Sequence, residues 1–285
     1  ELLKQHHKLV RKHKHTRYHW LPYTDWVVVT TCDPLTWWDT IRGRSKKNVK
    51  NSEVSDAEKL EPLRNLLVES GRKGPREIED LSFADLRTLL LEDNALDVEY
   101  VKEVNKAEAE FWKRSEGYRV GFSDEILQFD CGGQQWVLEM AFPVGPISRP
   151  SQQDIHVMRK LLKEIEANSI PAPAPIEQRW SSSSKSVLSP ASSLDPSDVY
   201  SWVGIILYLP LENAALREDV TRLFKKYASL MRNVLTDHKG QEHWAKIELP
   251  DSKAEREAMI QRVRSRYPVD EIRQARATLD PKNIL

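Results

Sequence analysis

The sequence predicts an α+β fold, a largely antiparallel sheet flanked by helices, and three observations carry that expectation. Short β-branched or apolar runs, Trp26 to Thr31 and Ser201 to Leu209, have the length and composition of strands. Leu216, Val220, Leu223, Phe224, Tyr227, Leu230, Met231 and Val234 trace one face of a long helix. Segments of both kinds alternate without a fixed-period repeat, which argues for a covered sheet and against a solenoid.

Taken in order, Leu2, Leu3, Leu9 and Val10 sit near helical spacing in a Lys/His-rich stretch that runs to His19. They predict a surface helix with a basic, solvated side that feeds the first strand. Trp26 to Thr31 reads as a buried strand, stopped by Asp33-Pro34. From Ile41 to about residue 58 the chain is polar and mixed in charge, the composition of a mobile insertion. Leu60, Leu63 and Leu67 predict one helix, and Phe83, Leu86, Leu89 and Leu90 a second with Ser82 as its N-cap. Val101, Val104, Glu108 and Phe111-Trp112 continue a helical pattern until Gly117.

Gln134 to Phe142 alternates like a strand, and Ile155, Met158, Leu161, Leu162 and Ile165 mark an amphipathic helix. The Pro/Ala run at 171–175 straightens the chain into a strand carrying Glu177. Residues 181–198 are Ser/Pro-rich and predict a loop before the Ser201 strand. His243 to Leu249 reads as a further strand. Met259, Ile260 and Val263, then Pro268 to Leu279, predict two closing helices.

Composition narrows the function classes. Lys+Arg and Asp+Glu are both 43, so the global basic field of a nucleic-acid binder is missing. The longest apolar runs fall far short of the roughly 20 residues that span a bilayer, so no transmembrane segment is expected in this chain. Only Cys32 and Cys131 occur, which excludes a disulfide scaffold. The first residue is Glu1 and no leader is visible, which points to processing or truncation upstream.

Two short stretches carry chemistry. Side chains alternate along a strand, so Glu177 and Arg179 share one face while Gln178 points away. A carboxylate accepts from hydroxyls and a guanidinium fork steadies a developing alkoxide, a pairing suited to a polyhydroxylated substrate. His243-Trp244-Ala245-Lys246 adds a second cation. Alone, each motif has a plainer reading: Glu-x-Arg as an ion pair, His-Trp-x-Lys as an edge strand staying soluble.

Other candidates are weaker. Gly132-Gly133 is a turn, since no phosphate-loop pattern surrounds it. Cys131 reads as a packed small hydrophobe. His6, His7, His13, His15 and His19 lack Cys partners and an intervening carboxylate, so a solvated basic helix is expected and no metal site.

Several segments together are similar to one family. Tyr23-Thr24-Asp25, the run from Asn105 to Gly121, Phe129 to Trp136, Pro171 to Trp180, Trp202-Val203-Gly204-Ile205-Ile206 and His243-Trp244-Ala245-Lys246 resemble the plant and algal L-galactono-1,4-lactone dehydrogenases. That family lies within the vanillyl-alcohol-oxidase group of flavoproteins, whose members join an FAD-binding domain to a carboxy-terminal cap domain. The likeness covers nearly the whole chain and is weakest between Thr36 and Asp80 and in the Ser-rich loop.

The resemblance implies that residues 1–285 form the cap and substrate part, without the FAD-binding domain. It also implies that residues 280–285 return toward that domain. It places Glu177 and Arg179 at the sugar lactone and His243 and Lys246 at the cofactor, with Glu177, Arg179 and Lys246 as catalytic residues. The implied reaction is FAD-dependent oxidation of L-galactono-1,4-lactone to ascorbate with cytochrome c as acceptor. The implied setting is the intermembrane-space side of the mitochondrial inner membrane, with association to a respiratory complex I assembly intermediate. Two alternatives stay open: a non-catalytic assembly or docking factor, and an oxygen-using aldonolactone oxidase.

Overall fold

The computed structural model describes residues 2–42, 54–71, 74–127, 134–146, 148–149, 151–210, 213–247 and 249–284. Most of the expected insertion, 43–53, lies outside these residues, as do Cys131 and Gly132-Gly133.

Among the described residues six antiparallel strands build one sheet, in the mixed helix-and-sheet architecture expected. They are β1 (His15–Trp20), β2 (Val27–Cys32), β3 (Gln135–Pro146), β4 (Ile176–Ser182), β5 (Asp198–Tyr208) and β6 (Gln241–Glu242), in the order β2-β1-β4-β5-β3-β6. The long pair β3 and β5 forms its spine, with a bulge between Pro143 and Gly145 where Gly145 takes φ +79°.

Alternation gives the sheet two unlike faces. Tyr18, Trp20, Ile176, Val203, Ile205, Leu207, Leu138, Met140 and Phe142 point to one side and are buried. Helices α7 (Gln153–Ala167) and α8 (Ala214–Thr236) cover that side with Ile155, Met158, Leu161, Phe224, Tyr227 and Met231. Both follow the apolar spacing read from the sequence, and Asn213 caps α8 by accepting from the Leu216 amide at 3.0 Å.

Among the described residues, the other face is covered at its two ends. At the Tyr208 end lie α3 (Asp56–Glu69), α4 (Phe83–Asp93) and α5 (Val98–Arg114), whose Leu63, Leu67, Leu86, Leu90 and Val104 cluster with Tyr208 and Ile206. Ser55 and Ser82 cap α3 and α4 in reciprocal boxes with Glu58 and Asp85, and Asp97 caps α5. At the Tyr200 end, Ala191 of the Ser-rich segment packs on Ala141 and Tyr200. Between these covers a strip of sheet stays open.

The remaining helices are α1 (Leu2–Lys12), α2 (Trp37–Ile41), α6 (Ser123–Leu127), α9 (Lys253–Arg266) and α10 (Val269–Leu279). The two closing helices are as expected, and neither has a buried residue.

Four expectations are corrected. The first helix stops at Lys12 and His15–Trp20 is a strand, because Tyr18 and Trp20 alternate into the core beneath the basic residues. The amino-terminal stretch is not solvated throughout: His6 is buried, with Nε2 2.8 Å from Asp154 Oδ2 and Nδ1 3.0 Å from the Tyr18 hydroxyl. The Trp26 to Thr31 strand is an edge, paired on one side only, and its residues are half-buried or exposed. Finally, the His243 region is no long strand: β6 ends at Glu242 and residues Trp244–Lys246 form a 3-10 turn that the His243 ring caps by accepting from the Ala245 amide at 3.2 Å.

Candidate active site

β4 is positioned from both sides. Its approach, residues 171–175, contains a cis Ala174–Pro175 bond and is pinned by the buried amide of Asn105 on α5. Asn105 Nδ2 donates to the Pro22 and Ala172 carbonyls at 3.0 and 2.9 Å, and its Oδ1 accepts from the Ala174 amide at 2.8 Å. Three of the four hydrogen bonds open to a buried Asn amide are thus used to fix the entry of one strand. Beyond it, Gln178 points into the core and is held there by Trp20 Nε1 at 2.9 Å and the Ser201 hydroxyl at 2.9 Å. Locking Gln178 inward sends Glu177 and Arg179 to the open face.

On that face, cross-strand register lines up His19, Glu177, Gly204 and Glu139 in one row. The next row holds Arg17, Arg179, Trp202 and Ala141. Arg179 reaches over β5 to Glu139, its NH2 nitrogen donating to Oε1 at 2.7 Å, while its Nε lies 3.5 Å from Glu177 Oε1. Lys246 donates to the other oxygen of Glu139 at 2.8 Å. The Glu139 carbonyl meanwhile accepts from the His243 amide at 2.8 Å. One residue of β3 therefore holds both motifs together.

The sequence motifs do come together: Glu177, Arg179 and Lys246 converge on one patch. His243 joins it less directly, its ring 6.2 Å from Trp202 and 6.1 Å from Trp244. Glu139, which ties them together, was not singled out from the sequence. Its signal was a lone acid between Leu138 and Met140 in an apolar strand, since a carboxylate at a core-strand position is held there only by partners.

The charges are unevenly exposed. The Glu139 side chain is 8% exposed, whereas Arg179 is 47% and Lys246 is 37% exposed. Burial pushes the Glu139 carboxyl up, but the hydrogen bond and charge of Lys246, then those of Arg179, outweigh burial and hold it below its ordinary value. Glu177 Oε1 is buried and accepts no hydrogen bond, although Arg17 NH1 and Arg179 Nε each lie 3.5 Å away. Three cations therefore face two carboxylates, an excess of positive charge suited to an oxygen that becomes anionic.

Beside Glu177, His19 is pushed down to about 3 by burial and then by the Arg17, Arg87 and Arg179 charges. Its Nε2 is buried and without a hydrogen-bond partner. Arg87 donates to the Tyr208 hydroxyl and stands 4.0 Å from the buried Glu108, which also accepts from Trp112 Nε1 at 3.1 Å. Burial raises the Glu108 carboxyl despite Arg87 and Trp112.

The donor set fits a flat group bearing acceptor oxygens. Among the described residues Lys246 Nζ donates to Glu139 alone, which leaves ammonium protons to spare, and the Trp202, His243 and Trp244 rings lie alongside. No cluster of His, Cys, Asp and Glu able to hold a metal occurs among the described residues.

Comparison with known proteins places these residues in context. Residues 89–285 match the family model described as D-arabinono-1,4-lactone oxidase. Over its whole length the chain is 47% identical to the mitochondrial L-galactono-1,4-lactone dehydrogenase of Arabidopsis thaliana, covering 48% of that protein. It is 46% identical to the mitochondrial L-galactono-1,4-lactone dehydrogenase 2 of Oryza sativa subsp. japonica, covering 49%. A Brassica oleracea relative of the same description is 45% identical, with 49% covered. The chain spans about half the length of the curated relatives it matches.

Proposed function

The chain belongs to the D-arabinono-1,4-lactone oxidase family, and from that premise we propose that its open sheet face is the substrate side of an FAD-dependent L-galactono-1,4-lactone dehydrogenase. The product is L-ascorbate, the acceptor cytochrome c. Residues 1–285 serve as the cap and substrate domain, with 280–285 leading back toward the part that holds most of the FAD. The observation that carries this reading is the shared carboxylate: Glu139 binds Arg179 and Lys246 at 2.7 and 2.8 Å and so holds two cations over one patch beside Glu177.

Each side chain then has a task that follows from its geometry. Arg179, half exposed, turns its fork to the lactone hydroxyl undergoing oxidation and steadies the oxygen as its proton leaves. Glu177 offers a buried oxygen that lacks a hydrogen bond, an acceptor for a substrate hydroxyl or for the departing proton. Lys246 and His243 are the residues of this chain that hold FAD, the ammonium supplying donors to an acceptor edge. Bound FAD supplies the hydride acceptor. Trp202 and Trp244 exclude water from one side.

The curated relatives are named mitochondrial. We place the protein on the intermembrane-space side of the inner membrane, where cytochrome c is met, with contact to a complex I assembly intermediate. No helix among the described residues is long and apolar enough to cross a membrane.

The test is anaerobic titration of the full-length protein. A yellow protein whose flavin absorbance is bleached by L-galactono-1,4-lactone and restored by oxidised cytochrome c supports the reading. A colourless protein, or a flavin that the lactone leaves oxidised, overturns it. Peroxide formed in air in step with lactone consumption would instead make oxygen the acceptor.

A further inference from the structure

Gly204 sits in the middle of the sheet, in a strand paired on both sides, opposite Glu177 on β4 and Glu139 on β3. Glycine is a poor choice there: it weakens a strand interior and leaves no side chain to pack. Its usual excuses do not apply. The residue has no left-handed φ, and a Cβ built on it meets no atom within 4 Å. Even the Arg179 side chain, which crosses β5 to reach Glu139, stays outside that distance.

A central glycine that the chain itself does not require marks a place where something else comes close to the backbone. The surroundings say what. Glu177 and Glu139 stand one strand away on either side, about 9–10 Å apart along the ladder. From the next row, beside Trp202, Arg179 lays its guanidinium across from Glu177 to Glu139, and Ile206 lies two residues along β5 on the other side. Glu177 Oε1 is a buried acceptor with no hydrogen bond. A small ring resting on Gly204 could offer a hydroxyl to Glu177 on one flank while a second oxygen faces Arg179.

We propose that Gly204 is the floor of the substrate site, a specificity-determining residue whose missing side chain makes room for the polyhydroxylated ring beside the Arg179 guanidinium that bridges Glu177 and Glu139. This rests on the lactone-oxidising reading given above. It adds that the ring lies directly on β5 and that the depth of the site is set by one hydrogen atom.

Gly204→Ala and Gly204→Val in the full-length protein test it, with three readouts: melting temperature, flavin absorbance, and KM for L-galactono-1,4-lactone. Because the added atoms enter open space, the melting temperature should hold or rise and the flavin spectrum should persist. KM should rise by about tenfold for Ala and further for Val, the scale on which a pocket discriminates single carbon groups. Unchanged KM in both variants overturns the proposal while leaving the lactone reading intact. A lowered melting temperature overturns it by showing that protein fills the space, and loss of flavin overturns it by showing that the cofactor does. If the unsubstituted protein does not oxidise the lactone, the functional reading has failed and the floor assignment falls with it.

Discussion

Lys246 and Glu139, 107 residues apart in the chain, meet at 2.8 Å on the open face of the sheet. The contact joins a short turn that follows the edge strand β6 to the spine strand β3, and the His243 amide adds a second tie to the Glu139 carbonyl. Without it the turn would be held near the site by the His243 amide, the two residue pairs of β6 and the bond from Trp244 Nε1 to the Leu188 carbonyl.

Glu139→Gln should therefore do more than lower a charge. An amide offers one acceptor oxygen where two cations now take one each, so either Arg179 or Lys246 must face an N–H group. Turnover of the full-length protein is expected to fall by at least about tenfold. Turnover equal to that of the parent protein would show that the shared carboxylate does not position the two cations.

Arg179→Lys keeps the charge and loses the fork. One ammonium cannot both hold Glu139 and present a planar pair of donors to a substrate oxygen. The expected loss in kcat/KM is about 10²- to 10³-fold, the scale of removing one oxyanion donor. The fall should lie mainly in kcat with flavin still bound. Steady-state kinetics at saturating lactone measure it, and a purely KM effect would contradict the assignment.

How much of this could be read from residues alone depended on whether the signal was periodic. The α8 stripe and the Ser82 cap are local patterns, and both were legible. So was the shared face of Glu177 and Arg179, which needs only the alternation of one strand. Glu139 was not legible, because its partners come from 40 and 107 positions away and no local pattern names them. β1 was hidden by its own composition: Lys and His surround Tyr18 and Trp20, and their two-residue period is too short to outweigh a helical stripe just before it. The His243 segment failed for the opposite reason. It has the alternation of a strand, but the His243 ring caps the following turn and ends the ladder.

Asp154→Asn should loosen α1 from the sheet. The carboxylate accepts from His6 Nε2 at 2.8 Å and Trp180 Nε1 at 2.7 Å on one oxygen, and from the Ile155 amide at 2.9 Å on the other. An amide in that buried place meets a donor with a donor, at a cost of about 3 kcal/mol. Denaturant unfolding at constant m-value, with hydrogen exchange across Leu2–Lys12, would register the change. Stability equal to the parent chain would mean that α1 is held by its apolar contacts alone.

Acid should unfold the chain through three depressed groups. Burial raises Asp154, but its bonds and charge interaction with His6, then Trp180, hold it below the ordinary carboxylate value, and Lys246 and Arg179 do the same for Glu139. A depressed carboxylate stabilises the fold above its unfolded pKa, and that stability is lost as pH falls through the folded one. His19 acts earlier. The unfolded chain binds its proton near pH 6.5, about the unperturbed imidazole value, whereas in the fold burial and the Arg17, Arg87 and Arg179 charges delay uptake to about 3. Its contribution is therefore complete above pH 6.5 and drains away progressively as pH falls toward 3. Unfolding free energy measured from pH 8 down to 4 should decline below about 6.5, and His19→Gln should flatten the upper part of that decline. A His19 imidazole resonance that titrates between pH 5 and 8 in the folded chain would show that the ring takes up a proton beside those guanidinium groups, against the burial and repulsion that the fold imposes.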